Sequence, residues 1–296
     1  MAGHAYLRTI SGIISAGLVI LVVIRLLAWF EHCREEMTNP VTAATLINLP
    51  SAIMLLSTYL PQSGVALSIW VIGLLMNVLL IFLFTRRYVI RSFQISNVYP
   101  SWFAAYIGIA NASVAAPHHG LDAFGLVIFW LAFAAFIPVF GLVTYRTFRY
   151  RNYTDIHMPT LANIASPCGL LLAAFMSTSV DPSLFMVYLL LTLALIFYGV
   201  ALILLPGLMK FPFSPSYASF TAPFVISASG VARAGRFLTS EGRQLTFLEP
   251  LFHFQIFLAG ALCLYVLYKF MQSLQEPARE SLKLLKLKYS MGSRHS

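Results

Sequence analysis

Two stretches of this chain, Pro159-Thr160-Leu161-Ala162-Asn163-Ile164-Ala165-Ser166-Pro167 and Pro215-Ser216-Tyr217-Ala218-Ser219-Phe220-Thr221-Ala222-Pro223, agree at both prolines and at the alanine between them. The opening proline recurs upstream in Asn39-Pro40 and Tyr99-Pro100. Four copies therefore start near 40, 100, 159 and 215, at spacings of 60, 59 and 56 residues. A near-constant period of this length marks a repeated supersecondary unit. A second proline follows in three copies, at Pro50, Pro167 and Pro223, and the second copy shares Pro-Ser-aromatic with the fourth (Pro100-Ser101-Trp102 against Pro215-Ser216-Tyr217).

Each copy reads as two helices. The first is rich in Pro, Ser, Thr, Asn and Ala, the second in Leu, Ile, Val and Phe. A proline in the first turn costs little, because that N–H has no helical partner. A proline farther in frees a carbonyl that protein or water must satisfy. The first helix of each pair is therefore expected to face inward and the second to face lipid.

Composition sets the solvent. Of 296 residues, 59% are hydrophobic and only 10% charged, and the mean hydropathy is +0.81. A soluble domain carries roughly 25% charged residues, so most of this surface must meet lipid. The expected class is an all-α polytopic membrane protein. The net charge of +9 is spread between apolar spans and reads as a topology signal rather than as a nucleic-acid surface.

Nine spans are expected, at 8–30, 41–60, 65–85, 100–117, 121–145, 159–178, 183–209, 216–235 and 250–273. They form one transmembrane domain, 1–274, followed by a basic tail, 275–296. The first span has no small-residue cleavage pattern after it and reads as a crossing, not a signal peptide. Arg34, the cluster Arg86, Arg87 and Arg91, the cluster Arg146, Arg149 and Arg151, Lys210 and the tail fall on one side. The positive-inside rule places that side and the C-terminus in the cytoplasm, which leaves the N-terminus outside. Extrapolating the period backwards puts an earlier opening proline about 20 residues before Met1. The first inner helix is therefore expected to be absent, and restoring it would give five pairs.

A ring of inner and outer helix pairs resembles the tellurite-resistance/dicarboxylate transporter family, which includes a bacterial tellurite-resistance protein and the plant slow anion channels. The likeness covers roughly residues 5–273 and is sharpest in 39–60, 158–176 and 213–232. The resemblance implies ten helices, five of them lining a central pore, a homotrimer, and passage of small anions of the chloride, nitrate, malate or sulfite class. It also implies a phenylalanine gate in the last inner helix. Here the matching stretch is Ser219-Phe220-Thr221-Ala222-Pro223, and Ala222 stands at the gate position. Phe220 and Phe224 are the other gate candidates, although residues one apart on a helix point about 100° apart.

No Asp, Glu or Lys lies well inside a span. Coupled carriers place an ionisable group at membrane depth, so passive flow is favoured over a proton-coupled dicarboxylate or sulfite carrier. An intramembrane enzyme or sensor would need a catalytic pair, and neither a His/Asp pair nor a Gly-x-Ser-x-Gly turn is present at depth. No catalytic residue or cofactor is expected. Candidate pore-lining residues are Asn48, Ser51, Asn111, Ser113, Asn163, Ser166, Ser219, Thr221 and Ala222. The competing reading is that these side chains bond between helices. Pro50, Pro167 and Pro223 are the expected helix breaks. Arg233 and Arg236 would raise anion concentration at a pore mouth or anchor the helix at the interface.

The cluster His118, His119 and Asp122 lacks metal-ligand spacing and reads as a polar turn. Cys33, Cys168 and Cys263 are expected to be free thiols. The glycosylation patterns at Asn111 and Asn152 fall in a span and on the inner side, and carry no weight. The tail from Gln275 to Lys288 spaces Leu and Lys as a helix would, to lie on an anionic leaflet or to extend the last span.

Overall fold

The computed structural model describes residues 2–150, 153–243 and 245–292, and of 2–5, 7, 32 and 274–292 the backbone alone. Arg151 and the pattern at Asn152 fall outside the described residues. The amphipathic reading of the tail rests on side chains that are likewise outside them.

Among the described residues the chain is helical throughout, with no strand. Five long helices carry the apolar sequence: α1 (Ala2–Ala28), α5 (Gly64–Thr85), α8 (Asp122–Arg149), α10 (Leu184–Leu208) and α12 (Leu248–Gly292). Short helix α2 (Phe30–Glu36) follows α1. Between the long helices lie the four elements that carry the recurring prolines, and each is broken; contrary to expectation, Pro159 stands inside its 3-10 segment rather than at its start. The first is α3 (Pro40–Leu46) and α4 (Asn48–Ser57), and the second α6 (Trp102–Ile107), α7 (Ala110–Ala115) and a 3-10 turn at Ala116–His119. The third is a 3-10 segment, Asp155–Ala165, running into α9 (Ser166–Thr178). The fourth is a 3-10 segment, Pro215–Phe220, running into α11 (Ala222–Ser240).

Three of the four breaks share a cause. Pro50, Pro167 and Pro223 each lie one to three residues after the interruption. Proline supplies no N–H and its ring clashes with the carbonyl four residues back, so the chain before it tightens to a 3-10 path or bends.

Seven helical stretches among the described residues are long and apolar enough to cross a bilayer. The expected spans 100–117 and 216–235 are not among them. The former is split into two six-residue helices and a 3-10 turn. In the latter α11 carries Arg233, Arg236 and a run of Ser, Ala and Gly, which lowers its hydropathy.

Each broken element packs on the long helix that follows it: α4 on α5, α6 and α7 on α8, α9 on α10, and α11 on α12. The broken elements also pack on one another in chain order, α4 on α7, α7 on α9 and α9 on α11. Burial follows the same division. The third broken element has 72% of its most apolar window buried, whereas the windows of α5 and α12 are 22% buried. Broken elements are thus inside and the apolar helices outside, as the residue types require. The closest inner contact is between α9 and α11. A Cβ on Gly169 would come within 2.6 Å of the Ser227 Cα, and one on Gly230 within 2.4 Å of the Gly169 carbonyl oxygen. Without a hydrophobic drive in lipid, such small-residue approach is a main source of helix association.

Candidate functional site

One cavity of about 250 Å³ lies where the four broken elements meet, and every one of them contributes to its wall. Counting each opening proline as position zero, the last three copies present the same four positions, 4, 7, 8 and 11. These are Ala104, Ile107, Gly108 and Asn111 in the second copy, Asn163, Ser166, Pro167 and Leu170 in the third, and Ser219, Ala222, Pro223 and Ile226 in the fourth. Steps of three, one and three residues keep one helical face toward the space. Gly108 stands where the other two copies have proline. The first copy, whose second proline is displaced to Pro50, contributes Thr45 and Asn48.

Of the residues singled out from sequence, Asn48, Asn111, Asn163, Ser166, Ser219, Ala222, Pro167 and Pro223 line this cavity. Ser51, Ser113 and Thr221 do not, and bond within the scaffold. Ser51 Oγ lies 3.3 Å from both the Ile47 and the Gly108 carbonyl oxygens, tying the first copy to the second. Ser113 Oγ donates to the Gly125 carbonyl at 2.8 Å, and Thr221 Oγ1 to that of Ala218 at 2.7 Å. Pro50 is buried against α5, outside the cavity wall. Phe220 and Phe224 also lie off the cavity. Phe220 packs on Tyr217 (ring centroids 5.0 Å apart) and Phe224 edge-on against Tyr198 (5.5 Å). The aromatic ring in the wall is instead Phe103, from the second copy, one of 24 phenylalanines and marked by no motif.

The wall mixes amide and hydroxyl groups with apolar side chains and is uncharged. It contains no ionisable side chain. The side chains of Asn163, Ser216 and Ser219 make no hydrogen bond to protein among the described residues, although Asn163 and Ser219 are each only 7% exposed. Polar groups buried without a protein partner are commonly completed by water or a ligand. Others are spent locally: Ser166 Oγ on the Asn163 carbonyl, Thr160 Oγ1 on that of His157, and Asn111 Nδ2 on that of Gly108.

At one end, Arg233 lies seven residues beyond Ile226, on the same face of α11. Its Nη1 donates to Ser177 Oγ at 2.9 Å, and Ser177 in turn donates to the Ala173 carbonyl. Arg236 is exposed and turned back on its own helix. Near that end the two histidines fasten the second copy to the first. His118 Nε2 donates to the Leu60 carbonyl at 2.9 Å, and His119 Nε2 meets Ser57 Oγ at 2.9 Å. Ser57 already donates to the Met54 carbonyl, so His119 is the donor in that pair. Burial, then the neighbouring His118, hold the His119 imidazole below its ordinary pKa. Among the described residues no group of three His, Cys, Asp or Glu side chains could hold a metal ion.

A polar cavity framed by broken inner helices, inside a shell of apolar ones, is the construction of a membrane transport protein. Residues 4–274 match the family described as SLAC1: Voltage-dependent anion channel. The chain belongs to this family, the group of channels and transporters that also holds the tellurite-resistance proteins. No curated protein matches the chain individually.

Proposed function

We propose that the chain is a passive path for small anions, of the chloride, nitrate, malate or sulfite class, with the described cavity as its narrow middle. The supporting observation is the wall itself, built in one shared register by three of the four copies, carrying amide and hydroxyl groups and free of carboxylates. An anion there meets amide and hydroxyl groups whose donors are unspent. It also meets the N-terminal ends of α9 and α11, at Ser166-Pro167 and Ala222-Pro223, where the helix macrodipole is positive. Phe103 supplies the constriction in place of the absent gate phenylalanine, and Arg233 draws anions to one mouth.

In this reading the second and fourth broken elements also cross, giving nine crossings with four inner elements around the path. The arginine-rich loops and the C-terminus face the cytoplasm. Assembly as a homotrimer is the expectation carried by family membership.

The test is anion efflux from vesicles containing the purified chain, comparing chloride, nitrate and malate with and without a pH gradient. Chloride or nitrate efflux independent of the gradient is the expected result. Malate movement that requires the gradient would replace this reading with a proton-coupled carrier.

A further inference from the structure

The 3-10 segment Asp155–Ala165 carries a second feature of the path. Residues three apart eclipse one another along a 3-10 helix, at a rise of about 6 Å per turn. Thr160, Asn163 and Ser166 follow this spacing and line the cavity. His157 is the next position on that face, one turn nearer the end with the arginine-rich loops, and its carbonyl accepts from Thr160 Oγ1 at 2.6 Å. Across from it stands Asn39, from the first copy, with Nδ2 at 3.5 Å from His157 Nε2. The first and third copies, separated by the second around the cavity, thus touch at this level.

The hydrogen-bond chemistry of the pair has one solution. Asn39 Oδ1 accepts the Val41 N–H at 2.8 Å as the cap of α3, which fixes the amide with its NH2 toward the imidazole. An NH2 group can only donate, so His157 Nε2 must be the acceptor and the ring neutral. Its proton then sits on Nδ1, which is buried with no partner among the described residues. A second proton would set an N–H against the Asn39 NH2, breaking the contact and leaving two donors and a positive charge one 3-10 turn beyond Thr160 of the cavity wall.

We propose that Asn39 and His157 form a proton-operated latch that, once opened, becomes a second binding position for a small monovalent anion. The proposal rests on the reading of the cavity as an anion path. Neutral, the pair closes the end of the path; protonated, it opens and holds the anion between imidazolium and amide. The surroundings leave the imidazole to act in this way. Tyr99 packs edge-on against it at 5.3 Å, and Tyr153 lies behind Tyr99 at 5.6 Å. The nearby cation, Arg146, is stacked over the Tyr153 ring at 4.4 Å. On the same segment Asp155 is exposed, and Glu36, before α3, is paired with Arg25 at 2.6 Å. Ser214, at the start of the fourth copy, bonds the Ile156 carbonyl.

The test is chloride efflux from vesicles holding the full chain, at equal pH inside and out. Efflux should rise at least about tenfold from pH 7.5 to 5.5 as the imidazole takes up its second proton. His157→Gln, whose carbonyl accepts the Asn39 NH2 at every pH, should abolish the rise. Asn39→Asp keeps the helix cap but offers the imidazolium a carboxylate, so it should reverse the trend and lower efflux in acid. The double change His118→Ala with His119→Ala should leave the rise intact. Efflux that is flat with pH in the natural protein, or a rise that persists in His157→Gln, overturns the latch while leaving anion passage standing. Absence of chloride efflux from every form at both pH values overturns the anion path and the latch with it.

Discussion

Replacing Asn163 by Asp places a carboxylate in the wall of the cavity proposed as the path while conserving side-chain size. The cavity volume is about 250 Å³, which corresponds to a sphere of radius about 4 Å, so a centred anion lies about that far from the new charge. At an effective dielectric of about 20, two unit charges about 4 Å apart repel by about 4 kcal/mol. At about 1.4 kcal/mol per decade this is close to a thousandfold loss of anion occupancy. The natural amide makes no hydrogen bond to protein among the described residues, so little of the effect can come from a broken contact. Chloride efflux from vesicles, at matched protein content and at a pH where the carboxylate is ionised, reads this directly. Asn163→Ser, which keeps a hydroxyl and adds no charge, serves as the comparison. Efflux through Asn163→Asp as fast as through Asn163→Ser would refute the placement of the path at this cavity.

Other consequences are separable from this one. Phe103→Ala and Phe224→Ala each empty a buried packing site and should each cost about 3–5 kcal/mol of stability, but only Phe103→Ala, by widening the wall, should also raise efflux severalfold per folded protein. Efflux and thermal unfolding in detergent distinguish the two. Gly230→Leu forces a side chain into the Gly169 backbone. It should cost at least about 1–3 kcal/mol of stability through overpacking, visible as a lowered unfolding temperature and loss of the folded elution peak. His119, depressed by burial and by His118, takes up its proton in the unfolded chain before it does in the folded one. The stability it supports is therefore complete above about pH 6.5 and declines as pH falls toward its folded value. His119→Gln should flatten that acid limb in a series of unfolding temperatures.

Much of the fold was readable because two physical signals coincide. Opening prolines at a near-constant period marked the inner elements, and long runs of Leu, Ile, Val and Phe marked the outer ones. The cavity wall is readable where the copies match best. Asn163 and Ser166 in the third copy, and Ser219 and Ala222 in the fourth, share positions and share the cavity. The second copy was less transparent, because Gly108 replaces the proline that would have aligned it. Counting from Pro100 leads to Ala104, Ile107 and Asn111, and with them to the adjoining Phe103. Ser51 and Ser113 could not be told from lining residues by type. A serine bonding a carbonyl on the next helix looks the same in sequence as one facing an ion. Phe220 and Phe224 flank Ala222 in sequence, but the break at Thr221 turns the two rings toward Tyr217 and Tyr198.

The central claim is that anions cross this protein through the cavity shared by the four proline-led copies. The reversal potential of current through the purified chain in a planar bilayer, under a potassium chloride gradient, tests it most directly. The account predicts a reversal at the chloride equilibrium potential, with current suppressed by Asn163→Asp. A reversal at the potassium potential, or a chloride current that Asn163→Asp leaves unchanged, would contradict it.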